Sequence, residues 1–507
     1  MKLKKVMGWL LASAMIVSLA ACGGGSGSSD TSGSGGTAGS STDSGSSASS
    51  VDTGDMVTVQ VAMPSFYDMT DAPMVNEAIN EILAERYGIQ CQITFISSGS
   101  WTQQSNLLLT SDEVDVICYY TLPLTTYVSN GQCLPLDDYV ASASDKFKSL
   151  FTEEQMNGCK IDGVQYAIPN LRNYGSQYVV FFDEAKLAEL GYNPDEITTM
   201  DQVEEVLYAA HEAYPDIYTV VPQSASTFCN LWTWEGLGDN AMIGVLGNCG
   251  QDETVVDIFE CEDFIEFCNY THQWYTDGLI MGDALSNQES GTTMIQNGAA
   301  FASFSNRANE VPPAGLTQSV LVQNWTPSAN ISALTYGINA LSSHPDEAWT
   351  MLEALYTDTD IMTLLIDGIQ DVHYVLNDDG SASYPEGVTA TTSTYGNATT
   401  YWAMPYAEGV PPITDLGSPT FFDDLIEFNN ESLISKGTGF ILDTDALGVT
   451  DQYTACQNVV DKYYDGLMNG VLDPDTVMAQ AHQEMIDAGI EDIIAVKQAA
   501  LDELLGK

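Results

Sequence analysis

The sequence predicts an open α/β fold divided into at least two lobes, and three observations carry that prediction. Strand and helix patterns alternate from residue 57 to residue 120, the signature of a parallel sheet whose ligands sit beyond the carboxyl ends of its strands. Setting aside the first 54 of the 507 residues leaves about 450, more than one hydrophobic core serves. Hydrophobic residues at 44% and aromatics at 10% suffice to fill two.

The chain opens with MKLKKVMGWLLASAMIVSLAAC. Lys2, Lys4 and Lys5 form a basic start, and residues 9–20 an apolar core of signal-peptide length, short for a membrane span. That core ends in Leu19-Ala20-Ala21-Cys22, which resembles the lipobox of bacterial lipoproteins, where the cysteine becomes the lipidated N-terminus. Residues 23–54 are almost wholly Gly, Ser, Thr, Ala and Asp, a composition that buries no core and is expected to act as a disordered leash. The expectation is a signal peptide at 1–22, lipidation at Cys22, and a body anchored to the extracellular face of the cell membrane.

Charge excludes one class of partner. Lys and Arg number 14 against 70 Asp and Glu, a net −56, so nothing here displaces counterions from nucleic-acid phosphates. Ten cysteines include Cys22, leaving an odd nine without any C-x-x-C pair, so neither a zinc knuckle nor a thioredoxin-like pair is indicated. Cys261 and Cys268 lie seven apart on a predicted helix, about 10 Å along its axis and beyond disulfide reach. Mostly buried free thiols are expected.

Residues 57–63 alternate strictly and read as a first strand. Pro73 opens a helix with apolar Val75, Ala78, Ile79, Ile82 and Leu83 at helical spacing, and Gly88 stops it. Residues 93–96 form a second strand, 101–109 a short helix, and 114–118 a third strand running into Tyr119 and Tyr120. Loops at 64–68, 97–101 and 119–123 then face a crevice. Thr199 with Gln202 three positions on makes a capping box for a helix near 203–213. Near the end, Tyr453, Cys456, Val459, Val460, Tyr463 and Leu467 make one apolar helical stripe. Asp473-Pro474 opens the next helix and Gly489 closes it.

Five segments, in order, carry a resemblance. Asp162-Gly163, Tyr166 and Pro169 precede residues 178–191 and the Thr199 box; Gln296 to Phe301 and Tyr336 to Trp349 follow. Together they resemble the extracellular solute-binding proteins of ABC importers, in the class that mostly carries sugars and oligosaccharides. The C-terminal stretch, with Leu376-Asn377-Asp378-Asp379-Gly380, Tyr395, Trp402, Gly437 to Phe440, Tyr463-Tyr464 and Asp473-Pro474, is similar to a Gram-positive lipoprotein subgroup with a module of unassigned function. Departures occur at Phe181-Phe182-Asp183-Glu184 and at Phe301. The resemblance implies a two-lobe periplasmic-binding-protein-like fold with an interlobe cleft, crossing hinge strands and C-terminal helices. Mapped onto this chain, crossings fall near 168–174, 304–311 and 338–342. Lobe 1 takes 55–170 plus about 312–340, lobe 2 takes 171–311 plus about 341–420, and 421–507 is a helical module on the lobes.

Catalytic signatures are absent: no G-x-S-x-G, P-loop or H-E-x-x-H. His211, His272, His344, His373 and His482 are scattered singly, and no carboxylate pair stands out among 70. Asn377-Asp378-Asp379-Gly380 lacks the other ligands of an EF-hand and reads as a hairpin turn. No metal and no cofactor are expected. Sugar rings stack on aromatic faces while their hydroxyls take planar polar partners. The expected ligand set is therefore Tyr67, Trp101, Tyr119, Tyr120, Arg172, Asn173, Tyr174, Trp232, Trp234, Arg307 and Trp402. Arg86, Arg172 and Arg307 are the three arginines of the chain, and the latter two fall at expected crossings. Each is either a bidentate ligand clamp or a hinge brace paired with a carboxylate. The chain is expected to be a monomer that captures a sugar or oligosaccharide and delivers it to ABC permease subunits without turnover. Capture of a peptide or modified amino acid, and a surface-anchored glycan-degrading enzyme, are the alternatives.

Overall fold

The computed structural model describes residues 56–507 except 226, 230, 231, 239, 240, 309, 310, 441, 443, 445 and 446. The signal, lipidation site and leash expected from the sequence lie outside these residues. Ten strands build the two main sheets: β1 (Thr58–Ser65), β2 (Gln90–Ser97), β3 (Val116–Tyr120), β4 (Ile168–Pro169), β5 (Ser176–Asp183), β6 (Tyr218–Val221), β7 (Ala300–Arg307), β8 (Leu316–Thr326), β9 (Leu334–Ile338) and β10 (Leu433–Ile434).

The first sheet runs β2-β1-β3-β9-β4. Its first three strands are parallel, as the strand–helix alternation requires; β9, which the chain reaches from the other lobe, pairs antiparallel with β3, and β4 pairs antiparallel with β9 and so runs parallel to the first three. Helix Ala72–Arg86 begins with Pro73 in its first turn and buries Val75, Ile79, Leu83 and Ala84. Its last turn is fastened by Arg86, whose guanidinium reaches Asp358 at 2.8 Å and Asp360 at 2.6 Å.

The second sheet runs β10-β8-β5-β7-β6. Here β5 is flanked by antiparallel β8 and β7, and β6 lies parallel to β7. Helix Met200–Ala213 packs beside it and carries the Thr199–Gln202 capping box in full.

The expected lobe boundaries need correction. Residues 316–326 belong to the second sheet, since β8 pairs with β5 from Leu316↔Asp183 to Trp325↔Ser176. The chain returns over 327–333, later than the expected 304–311 and before the expected 338–342. Residues 341–420 fall mainly to lobe 1: Ala348, Met351, Leu352, Leu355, Ile361 and Leu365 sit in its core with Tyr395, Ala403 and Met404. Helix Phe421–Asn430 packs there too, and the chain crosses a third time at 431–432 to reach β10. Helices Thr450–Met468, Pro474–Ala488 and Ile490–Leu504 add Cys456, Val460, Leu467, Ala481, Met485 and Ile493 to the lobe 2 core. The mapped crossings do not tell which sheet receives residues 316–326; their pairing with β5 does.

All nine cysteines after the leash are free, eight of them buried. The segment 375–383 is a hairpin whose turn is held by Asp379, which accepts from Ser381 N–H at 3.0 Å and Ser381 Oγ at 2.6 Å. No helix among the described residues is long and apolar enough to cross a membrane.

Candidate ligand-binding site

The three crossings are tied into one knot. Tyr174 is buried; its hydroxyl donates to Asn170 O at 2.6 Å and its N–H to Asn429 Oδ1 at 3.0 Å. Its carbonyl accepts from Asn330 Nδ2 at 2.8 Å, while Asn429 Nδ2 donates to Arg172 O at 2.7 Å. A second fastening comes from Glu235, 1% exposed in lobe 2: Oε1 accepts from Leu237 N–H at 2.7 Å and Ser328 Oγ at 2.6 Å, and Oε2 from Ser328 N–H at 2.7 Å. These bonds tie the crossings to one another and to lobe 2.

The carboxyl ends of β1 and β3 form one face of lobe 1. Phe66 and Tyr67 follow β1, Tyr120 ends β3, and the loop bearing Trp402 folds back beside them; all four are part-buried. Phe66 lies 4.7 Å from the Trp402 ring and 6.3 Å from Tyr120, edge-on to the latter. Gly396 sits so close to Tyr67 that a Cβ there would approach its Cβ to 2.5 Å, so only glycine allows that loop to seat. Thr121, next to Tyr120, holds φ at 75°, a strained conformation for a β-branched residue.

Arg172 projects from the first crossing into this neighbourhood. Burial lowers its pKa, opposed by the phenols of Tyr174, Tyr401 and Tyr120. No described carboxylate pairs with it, so the hinge-brace reading of Arg172 has no ion pair behind it. Asn173 beside it is part-buried.

Across the hinge, the carboxyl ends of β6 and β7 supply polar groups. Gln223 Nε2 donates to Asn306 Oδ1 at 3.0 Å. Arg307 is opposite Gln177, donates to Val311 O at 3.1 Å, and lies over the Phe181 ring at 5.6 Å. Arg307 thus holds its own loop.

Five expected ligand contacts are instead interior. Trp101 is wholly buried in the lobe 1 core, as is Tyr119, whose hydroxyl donates to Ile338 O at 3.1 Å. Tyr174 belongs to the hinge knot. Trp234 donates to Tyr464 Oη at 3.2 Å inside lobe 2, and Trp232 packs on Phe267 at 5.1 Å and Phe304 at 5.6 Å. The physical reason is common to all: a large aromatic at the end of a strand or in a long loop gains most by filling a core. Phe66, outside the expected set, joins the ring cluster of Tyr120 and Trp402 from its place directly after β1.

Two cavities also open between the lobes. One of about 260 Å³ is lined by Pro123–Thr125, Lys160, Ser328, Phe440 and Tyr453. Its neighbour, about 820 Å³, lies between Val128, Lys160 and Ile161 of lobe 1 and Phe440, Leu447 and Leu504 of the C-terminal segment. None of the expected ligand residues lines either one. Among the described residues, no group of three or more His, Cys, Asp or Glu side chains is placed to hold a metal ion.

Two α/β lobes joined by three crossings are the architecture of a hinged binding protein. The chain belongs to the bacterial extracellular solute-binding protein family, whose sequence model matches residues 70–361. A domain of unknown function (DUF3502) matches residues 436–506, the helices on lobe 2. No curated protein matches the chain. Among solved structures, the N-glycan transport solute-binding protein NgtS of Streptococcus pneumoniae is similar at 16% identity, covering 89% of this chain and 99% of its own, with a TM-score of 0.73. A solute-binding protein described as binding HMO, from Bifidobacterium longum infantis, shares 15% identity over 88% of this chain and 99% of its own, TM-score 0.58. The S. pneumoniae protein FusA, in complex with kestose, shares 15% over 89% and 100%, TM-score 0.56.

Proposed function

We propose that this chain captures a sugar or oligosaccharide outside the cell and delivers it unaltered to the permease of an ABC transporter, acting as a monomer held to the membrane by a lipid on Cys22. The observation that carries the reading is the row Phe66, Tyr67, Tyr120 and Trp402 beside Arg172, at strand ends next to the hinge. Ring faces accept the apolar face of a sugar, and a guanidinium donates to its oxygens. NgtS with Man1GlcNAc and FusA with kestose, similar in fold, support a carbohydrate ligand. A solute touching both lobes stabilises the closed form, because only there are both sets of contacts made. The test is a thermal-shift screen of the full chain carrying Cys22→Ser against mono- and oligosaccharides, with peptides as controls. A sugar that raises the midpoint in a dose-dependent way and is recovered intact supports the reading. Shifts with peptides alone, or conversion of the sugar to product, overturn it.

A further inference from the structure

Arg172 is the exception among this protein's few cations. Fourteen lysines and arginines, less the three in the leader, leave eleven. Ten have an oxygen acceptor within hydrogen-bonding distance: Arg86, Lys186, Lys436, Lys462 and Lys507 sit in ion pairs, and the others reach carbonyl or amide oxygens. Arg172 alone among the described residues has none, in a chain with 70 carboxyl groups available to supply one. Only its backbone carbonyl is engaged, by Asn429. The groups acting on its charge are the phenols of Tyr174, Tyr401 and Tyr120.

A guanidinium presents five donors and no acceptor. Arg172 is part-buried, so a ligand that displaces water from it must supply both the acceptors and the compensating charge. Neutral sugar hydroxyls satisfy the donors but leave the charge unmatched. A carboxylate does both, in the bidentate geometry that suits the planar fork. The surrounding net charge of −56 does not forbid an anion here. Exposed charges are screened over about 8 Å at physiological ionic strength, and the groups felt by Arg172 are phenols.

We propose that Arg172 selects a sugar carrying a carboxylate, a uronic or sialic acid residue, whose ring rests on the neighbouring aromatic faces of Tyr120 and Trp402. The proposal rests on the sugar-capture reading and narrows it.

Calorimetric titration of the full chain carrying Cys22→Ser against matched pairs tests it: trigalacturonate and its methyl ester, and sialyllactose and lactose. The acidic member of at least one pair is expected to bind ten-fold or more tighter than its neutral partner. Arg172→Gln removes that discrimination, weakening the acidic ligand by ten- to a hundred-fold and the neutral one by less than three-fold. Arg172→Lys, which keeps the charge but not the fork, retains part of the preference and serves if the glutamine variant does not fold. Preference for the neutral members, or equal loss for both with Arg172→Gln, overturns the proposal while sugar capture stands. Absence of binding by every sugar, in a wild-type protein that melts cooperatively, removes both.

Discussion

Replacing Glu235 by glutamine takes away one of the two oxygens that hold the second crossing. Oε1 accepts two bonds and Oε2 one, and the donors Leu237 N–H and Ser328 N–H sit on different oxygens. Whichever way the amide turns, its NH2 group faces one of these buried N–H donors. A buried donor left unpaired costs about 1–3 kcal/mol, and the bonds that remain lose their charge assistance. We expect a loss of about 3 kcal/mol, read by differential scanning calorimetry as a fall of roughly 6–12 °C in the Tm of the second lobe, taken as a unit of about 150–250 residues. Glu235→Ala, which orphans every donor at once, falls further. A glutamine variant melting within about 2 °C of wild type would refute the reasoning, because the carboxylate would then not be what fixes Ser328.

Trp101→Ala empties a fully buried site and should cost roughly 3–5 kcal/mol of stability, whereas Tyr120→Ala should leave Tm nearly unchanged and abolish the ligand-dependent shift; the opposite pattern in thermal melts contradicts the site. Asp367 is 3% exposed with both oxygens unpartnered, and burial raises its pKa well above the usual carboxylate range. The folded state therefore holds a proton that the unfolded chain releases above about pH 4. The stability it contributes is present below that pH and lost as pH rises toward the folded value, by about 1.4 kcal/mol per unit. Asp367→Asn should gain on wild type from pH 4 to 7 in urea titrations, and a pH-independent difference contradicts this. Burial raises every one of the nine thiols, Cys249 to about 12, and Cys249 is the one that is part-exposed. Ellman titration of the native protein should find it reacting first and slowly, with the remaining eight after denaturation; two or more fast thiols contradict the packing.

Much of the architecture was legible because its signals are local. Pro73, the Thr199–Gln202 box, Asp473-Pro474 and Gly489 mark helix ends through backbone geometry and capping, which need no knowledge of the rest of the chain. The lobe boundaries were not local. Leu316 to Thr326 falls within the 312–340 expected in lobe 1, and only its register against β5 places it in lobe 2. The site divides in the same way. Tyr67, Tyr120, Arg172 and Trp402 come together because strand ends and the first crossing converge. Trp101, Tyr119, Trp232 and Trp234 differ from them only in which way the side chain turns, a matter of core volume that residue type does not encode.

Small-angle scattering on the full chain carrying Cys22→Ser, with and without a sugar that raises its melting midpoint, tests the hinge most directly. A radius of gyration that falls on saturation, and does not fall in Tyr120→Ala, is what two closing lobes predict. An unchanged radius with the sugar demonstrably bound would mean that nothing swings shut.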